Sequence, residues 1–290
     1  MPENKVNQHY PDTVWLNGRW LPGAQASVSV FDRGFLFGDG IYEVIPFYNH
    51  RLFTFEEHIH RLQQGLNEVG IPFTAATLNE HVLEAVDRAG SADGIVYIQV
   101  TRGRAPRAHR FPATVDPTVL LYATSFDFSG CDKKAVTVLL AADFRWQRCN
   151  IKSTSLMANV LANNSAHEGD MAEYVFERNG TITEGSHSSV FFVRDGCLFT
   201  HPNGPHILPG ITREVVISVA ARLGVGVREV GITVDGLSDV SEAFLTGTTT
   251  QLTAIRSFSL HGHEQVVGTG AIGPVTRRLQ QAFNELTRPS

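Results

Sequence analysis

Lysine is rare in this chain, and one lysine lies where a reactive amine would serve chemistry. Of the 24 lysine and arginine residues, four are lysines. Three of them lie in the N-terminal tail and a polar segment, whereas Lys152 leads into an apolar, helix-like run. Lysine carries a primary amine that can lose its proton and attack a carbonyl, so Lys152 is a candidate Schiff-base nucleophile. A surface or ion-paired lysine is the alternative.

A Schiff-base lysine that binds pyridoxal phosphate needs an anion site, an acid for the pyridine nitrogen and cations for a substrate carboxylate. Residues Pro209 to Thr212 open an apolar helix, and free N–H groups at a helix N-terminus bind anions. Residues Gly247 to Thr250 offer hydroxyl and N–H groups after an apolar strand. Arg61, on an earlier helix, would add a fixed positive charge. An ordinary helix cap or turn is the alternative for both segments.

Two further segments supply the remaining groups. Glu184, predicted to lie in a loop between a turn and a strand, is the best candidate acid for the pyridine nitrogen, with a solvated loop glutamate as the alternative. Residues 102–110 hold four arginines and one histidine after a predicted strand. Because a guanidinium binds a carboxylate through two parallel hydrogen bonds, this loop is the candidate carboxylate site. A solvated basic loop is the alternative there.

The sequence lacks the motifs that indicate several other kinds of functional site. The chain has neither a GxxxxGK[ST] phosphate loop nor a GxSxG elbow. His58 and His60 are two apart on a predicted helix and do not face one site, so no metal is predicted. A net charge of -5 argues against a nucleic-acid surface. The apolar runs are too short for a membrane span, no signal peptide is evident, and the three cysteines are expected to be reduced thiols in a cytoplasmic protein.

The elements that must position these residues indicate two α/β (α+β) domains. A hairpin with its turn at Asn17-Gly18 begins the chain, and a helix follows Thr54, predicted as its N-cap with Glu57 completing a capping box. Strands and helices then alternate on both sides of a polar, glycine-containing segment. The predicted division is a small N-terminal domain of residues 1–126, a linker of residues 127–134, and a larger domain of residues 135–290 that carries the lysine.

Six segments, in order, resemble the motifs of one known family. They are Asp32 to Glu43, Glu57 to Leu62, Cys149 to Ser153, Thr183 to Ser186, Leu208 to Arg213, and Phe244 to Thr249. The chain is similar to the fold-type IV pyridoxal-phosphate aminotransferases and, within them, to the D-amino-acid transaminases. The likeness runs from about Val14 to the C-terminal helix.

The resemblance implies a role for each matching residue and a two-domain fold with the cofactor between the domains. Lys152 and Glu184 are the implied catalytic residues. Tyr42, Arg107 and His109 are the implied trap for the substrate carboxylate. The residues implied to bind pyridoxal 5′-phosphate are Arg61, Lys152, Glu184, Leu208, Ile211, Thr212, Thr248 and Thr249. The family's sites also receive residues from a neighbouring chain, which implies a homodimer.

The implied reaction transfers the amino group of a D-amino acid such as D-alanine to 2-oxoglutarate or pyruvate. An (R)-selective amine transaminase and a branched-chain L-amino-acid aminotransferase share the fold and remain alternatives, although the Arg107 and His109 pair argues against the latter. A protein that binds the cofactor without turnover is the non-enzymatic alternative. Two residues depart from the family pattern: His187 stands in a run that is usually serine, and Gly247 stands where a serine is common.

Overall fold

The computed structural model describes residues 10–288, which divide into two compact units. The first unit runs to Asp127 and includes Ile151–Leu156, and the second comprises Phe128–Asn150 and the chain from Met157 onward. Lys152 therefore groups with the first unit, whereas the sequence-based division placed it in the larger C-terminal domain. The cause is local: the backbone around Lys152 pairs with a strand of the first unit.

The first unit is an antiparallel sheet covered by helices. Its strands are β1 (Thr13–Leu16), β2 (Arg19–Pro22), β3 (Gly40–Tyr48), β4 (Arg51–Leu52), β5 (Gly94–Thr101) and β6 (Thr118–Ser125). Its helices are α1 (Arg33–Phe37), α2 (Phe55–Val69) and α3 (Asn79–Arg88). The strands lie in the order β2-β1-β6-β5-β3-β4. The predicted hairpin is confirmed, and Asn17 and Gly18 both have positive φ, as its tight turn requires.

Helix α2 covers one face of this sheet. Ile59, Leu62 and Leu66 follow helical spacing and are buried in one core with Ile41 and Ile45 of β3. Burying a side chain of this kind stabilises the fold by about 1.5–3 kcal/mol. The apolar periodicity therefore predicted both the helix and its inner face.

The predicted start of α2 is wrong in one respect. Thr54 precedes the helix, but its backbone is left-handed (φ 52°) and its side chain makes no capping bond to the helix. Its hydroxyl instead donates to the Phe53 carbonyl at 2.7 Å. A capping box needs the N-cap residue in an extended conformation, so Thr54 and Glu57 do not form one.

The second unit is a mixed sheet with three helices. Its strands are β7 (Ala135–Ala142), β8 (Tyr174–Arg178), β9 (Thr181–Gly185), β10 (Ser189–Arg194), β11 (Cys197–Thr200), β12 (Val227–Glu229), β13 (Glu242–Gly247), β14 (Gln251–Leu260) and β15 (His263–Val266). Its helices are α4 (Met157–Glu168), α5 (Ile211–Arg222) and α6 (Pro274–Thr287). The strand path is β12-β11-β10-β13-β14-β7-β8-β9, and β9 also pairs with β10, so six strands form a closed circuit.

Glu184 lies on β9 and not in the predicted loop. The Asn179-Gly180 turn joins β8 to β9 as a hairpin, and Thr181, Ile182 and Thr183 carry β-branched side chains that favour a strand. The sequence pattern was too short to separate this strand from the turn before it. The strand position fixes the direction of the Glu184 side chain.

None of the helices within residues 10–288 combines the length and apolar character that crossing a membrane demands.

Candidate active site

Lys152 is held along the N-terminal end of β3. Ser153 forms an antiparallel bridge with Ile41, and the Tyr42 N–H donates to the Lys152 carbonyl at 3.1 Å. The Thr154 hydroxyl donates to the Gly38 carbonyl at 2.8 Å and fixes the next turn of chain. The lysine side chain is half-buried, and its Nζ lies 4.3 Å from the centroid of the Tyr42 ring. Two residues predicted to act in one site are thus brought together.

Arg61 is fixed by a buried carboxylate that the sequence analysis missed. Its Nε and Nη2 donate to the two oxygens of Glu43 at 2.7 and 2.9 Å, and His58 Nδ1 lies 2.8 Å from Glu43 Oε2. Burial alone would raise the pKa of Glu43, but Arg61 and His58 hold it well below its ordinary value. Burial also lowers the pKa of His58, although Glu43 opposes that effect. The sequence did contain a signal for this buried carboxylate: Glu43 lies between Ile41 and Ile45 on the same inward-facing side of the strand.

The arginine-rich loop brings Arg107 and His109 together on one aromatic ring. The Arg107 guanidinium lies 5.2 Å from the centroid of Phe37, and the His109 ring centroid lies 5.8 Å from it. Both polar side chains are exposed. Tyr42, the third predicted carboxylate ligand, stacks on Tyr97 with ring centroids 5.9 Å apart. The loop therefore presents a cation and an imidazole side by side, a combination suited to a carboxylate.

Glu184 in the second unit is buried, and both of its oxygens accept hydrogen bonds. Oε1 accepts from Arg145 Nη1 at 2.6 Å, and Oε2 accepts from the Leu208 N–H at 2.9 Å. Burial raises the pKa of Glu184 to about 7, although the charge of Arg145 opposes this rise. A carboxyl group with such a pKa can share a proton with a bound heterocycle near neutral pH. Leu208 contributes its backbone here.

Arg145 is a second residue that the sequence analysis missed. It forms two 3.0 Å hydrogen bonds to the oxygens of Asp143 and lies 4.0 Å from the centroid of the Phe176 ring. Burial opposes its charge, but Asp143 and Glu184 together raise its pKa above the ordinary value. Arg145 is thus a permanent, buried cation held against Glu184.

The predicted phosphate segments lie around Ser189 at the start of β10. Ser189 is paired with Glu184 on one side and with Thr246 on the other. A Cβ added at Gly210 would lie 2.8 Å from the Ser189 hydroxyl, so a larger residue does not fit there without movement. Gly210 precedes Ile211 at the start of α5, and Gly247 and Thr248 follow Thr246 at the end of β13. Both candidate phosphate segments therefore lie next to Ser189, the residue that also pairs with Glu184.

Two features of these segments fit a phosphate. Helix α5 begins at Ile211 after Gly210, with no side-chain cap from the described part of the chain, so the N–H groups of its first turn, which includes Thr212, point outward from the helix. The Thr246 hydroxyl is buried and finds no hydrogen-bond partner among residues 10–288. The uncapped donors and the orphaned hydroxyl suit a phosphate, and Glu184, with its raised pKa and on the other side of Ser189 from Thr246, suits the ring nitrogen of pyridoxal phosphate.

His187 lies against the buried carboxylate of Glu173, the residue just before β8. Its Nδ1 is 2.9 Å from Glu173 Oε2, and the hydroxyls of Ser186 and Ser188 donate to the same carboxylate. Burial would raise the pKa of Glu173, but His187 and the serine hydroxyls lower it below the ordinary value. The histidine that departs from the family pattern therefore contacts the buried carboxylate of Glu173 directly.

Comparisons with known proteins cover nearly the whole chain. Residues 40–258 match the family described as amino-transferase class IV. D-alanine aminotransferase from Bacillus licheniformis is 39% identical over 93% of this chain and 95% of its own length. D-alanine aminotransferase from Staphylococcus aureus (strain MSSA476) is 37% identical over 94% and 97%. The structure of branched-chain amino acid aminotransferase from Thermobaculum terrenum in its PLP-form has a TM-score of 0.84 and 25% identity over 96% of this chain and 94% of that one.

Proposed function

Because the chain belongs to the class IV aminotransferases, we propose that it transfers the amino group of a D-amino acid to a 2-oxo acid. D-alanine is the expected donor, and 2-oxoglutarate or pyruvate is the expected acceptor. The observation that carries the D-amino-acid assignment is the shared placement of Arg107 and His109 against Phe37, which supports a carboxylate site on this loop. The two D-alanine aminotransferases reported above support the same donor.

The proposed cofactor is pyridoxal 5′-phosphate, attached through Lys152. When bound, it supplies an electron sink for negative charge that develops at the substrate Cα. Glu184, with its pKa raised to about 7, holds the proton of the pyridine nitrogen. The residues proposed to bind the phosphate are Arg61, Ile211, Thr212, Thr248 and Thr249.

Side chains of the protein bind the substrate, transfer the proton and orient Glu184. Arg107, His109 and Tyr42 bind the α-carboxylate and so determine which bond at Cα faces the lysine. Lys152, freed once the amino donor has replaced it on the cofactor, would take the proton from Cα as a base and would then deliver it to the cofactor's C4′ as an acid. Arg145 keeps Glu184 oriented through the 2.6 Å hydrogen bond to Oε1.

The deciding experiment follows the absorbance of the bound cofactor in two separate samples, one given D-alanine and the other L-alanine. We expect D-alanine alone to convert the cofactor to its amine form, and pyruvate to reverse the change. Conversion by L-leucine but not by D-alanine would replace the proposal with the branched-chain alternative, which the likeness to the Thermobaculum terrenum enzyme favours. Conversion by (R)-1-phenylethylamine as fast as by D-alanine would favour an amine transaminase. If no donor converts the cofactor, the remaining interpretation is a protein that binds the cofactor without turnover.

We also propose that the protein is a cytoplasmic homodimer. Val30, Phe31 and Phe35 lie close together in the chain and are each more than half exposed, an apolar surface that a second copy would cover. The three cysteines are free thiols, in keeping with a reducing compartment. Sedimentation equilibrium of the wild type and of Phe35→Glu tests the dimer, because a charge in an apolar interface should shift the mass toward that of one chain.

A further inference from the structure

Two of the three carboxylate-binding side chains proposed above, those of Arg107 and His109, lie on a loop without regular secondary structure. Residues 102–117 connect β5 to β6, and Arg107 and His109 are exposed on this loop. Exposed loops are mobile by default, whereas a misplacement of about 1 Å costs an enzyme up to about 10²-fold in rate. Something must therefore hold the two side chains in place.

Arg33 is a buried guanidinium that reaches this loop from α1. Its backbone N–H donates to the Gly103 carbonyl at 2.9 Å, and its Nη1 donates to the Ala108 carbonyl at 2.7 Å. Its Nε is paired with Asp39 at 2.7 Å, and only 4% of its side chain is exposed. The Ala108 carbonyl lies between the two carboxylate-binding residues, so this one bond anchors the backbone that carries both of them.

Phe37 supplies a surface for the side chains themselves. Arg33 lies 4.8 Å and Arg107 lies 5.2 Å from the centroid of its ring, and the His109 ring is tilted against it at 5.8 Å. A cation within about 6 Å of a ring centroid is attracted to the ring. One ring of α1 thus contacts the anchor and both side chains that the anchor holds.

We propose that Arg33 and Phe37 are positioning residues for substrate-carboxylate recognition: Arg33 fixes the backbone at Ala108, and Phe37 fixes the directions of Arg107 and His109. This inference rests on the proposed function, because it assumes that Arg107 and His109 on this loop bind the substrate carboxylate. Neither residue is among those proposed above to contact the substrate or the cofactor. Their effect is on substrates with a carboxylate and not on the reactivity of the cofactor.

Arg33→Lys and Phe37→Leu test the two parts separately in the holoenzyme. A lysine keeps the charge but cannot place two N–H groups in the fork that serves Asp39 and Ala108. A leucine keeps apolar volume but removes the ring. Arg88→Lys is the matched control, because Arg88 also pairs with a carboxylate, that of Glu84, and lies over an aromatic ring, that of Trp20, away from this loop.

The readout is the ratio of two rates at which reagents displace Lys152 from the cofactor. Aminooxyacetate carries a carboxylate, and O-methylhydroxylamine does not. We expect each test variant to lower the aminooxyacetate rate about tenfold while the O-methylhydroxylamine rate stays unchanged, and to raise the KM for D-alanine more than it lowers kcat.

Three outcomes decide the matter. A lower ratio in Arg33→Lys and Phe37→Leu but not in Arg88→Lys supports the proposal. An equal loss of the aminooxyacetate and O-methylhydroxylamine rates in the test variants overturns the proposal. If Arg33→Lys does not fold, an unchanged ratio of these rates in Phe37→Leu also overturns it. Either result leaves the proposed function standing. A wild-type enzyme that does not prefer aminooxyacetate overturns the carboxylate site itself, and with it both the proposed function and this inference.

Discussion

Arg145 Nη1 donates a 2.6 Å hydrogen bond to Oε1 of Glu184, and both side chains are almost wholly buried. Burial raises the pKa of Glu184 to about 7, and Arg145 limits that rise because its positive charge favours the ionised carboxylate. Asp143 holds Arg145 in turn through two hydrogen bonds. The proton affinity of the acid proposed to serve the cofactor is therefore set by a neighbouring cation.

Replacing Arg145 with glutamine should move the acidic limb of the pH profile toward higher pH. Glu184 loses the charge that favours its ionised form, so its pKa rises further. Breaking a buried ion pair should also lower the free energy of unfolding by about 3–5 kcal/mol. The first effect is measured as the rate of the D-alanine half-reaction against pH, and the second by urea denaturation.

Arg178→Gln is the control for this change. Arg178 also donates to Asp143, at 3.0 Å, and its side chain is 13% exposed. The Arg178→Gln variant should lower the free energy of unfolding without moving the acidic limb of the pH profile. An acidic limb at the same pH in Arg145→Gln and the wild type would show that Arg145 does not set the proton affinity of Glu184.

Glu184→Gln should change how the stability of the cofactor-free protein depends on pH. The Glu184 pKa is raised from 4.5 to about 7 on folding, so between these values the folded chain binds a proton that the unfolded chain releases. The unfolding free energy contributed by this group therefore falls as pH rises through that window, by at most about 1.4 kcal/mol per pH unit. Urea denaturation at about pH 5 and about pH 7 measures it. A wild-type minus variant difference that is equal at both pH values would contradict the raised pKa.

Local patterns predicted most of the fold because they act over a few residues. The turn at Asn17-Gly18 and the apolar spacing of Ile59, Leu62 and Leu66 each specify an element by themselves. Strand β9 was missed because five residues directly after a turn carry too little periodicity. The Thr54 cap failed because a preference for capping does not determine the backbone conformation of the residue.

The site could be predicted only in part, because its charges are paired over long separations. Glu43 meets Arg61 at 18 residues' distance along the chain, and Arg145 meets Glu184 at 39. Periodicity carries no information on such pairs. The general signal was a charge placed among inward-facing apolar residues, since such a charge needs a buried partner. Lys152 could be singled out because lysine is rare in this chain.

Lys152→Ala should abolish both the visible absorbance of lysine-bound cofactor and turnover of D-alanine. An alanine offers no amine to attach the cofactor or to take the proton from Cα. Lys133→Ala, in the predicted linker, is the control and should keep both properties. Spectra and steady-state rates of the two purified proteins are the measurement, and wild-type turnover in Lys152→Ala would overturn the assignment.

Glu43→Gln should weaken both the fold and the binding of pyridoxal phosphate. Glu43 is wholly buried between Arg61 and His58, and its pKa is held well below the usual 4.5. Its contribution to stability is therefore fully present above pH 4.5 and is lost as pH falls toward the lowered pKa. We expect a loss of about 3–5 kcal/mol near neutral pH that narrows in acid, measured by urea denaturation. Cofactor affinity should fall as well, because Arg61 loses the carboxylate that orients it. Glu57→Gln, at an exposed position of helix α2, which carries Arg61 and His58, should leave both unchanged. A loss of stability that does not depend on pH would refute the buried ion pair.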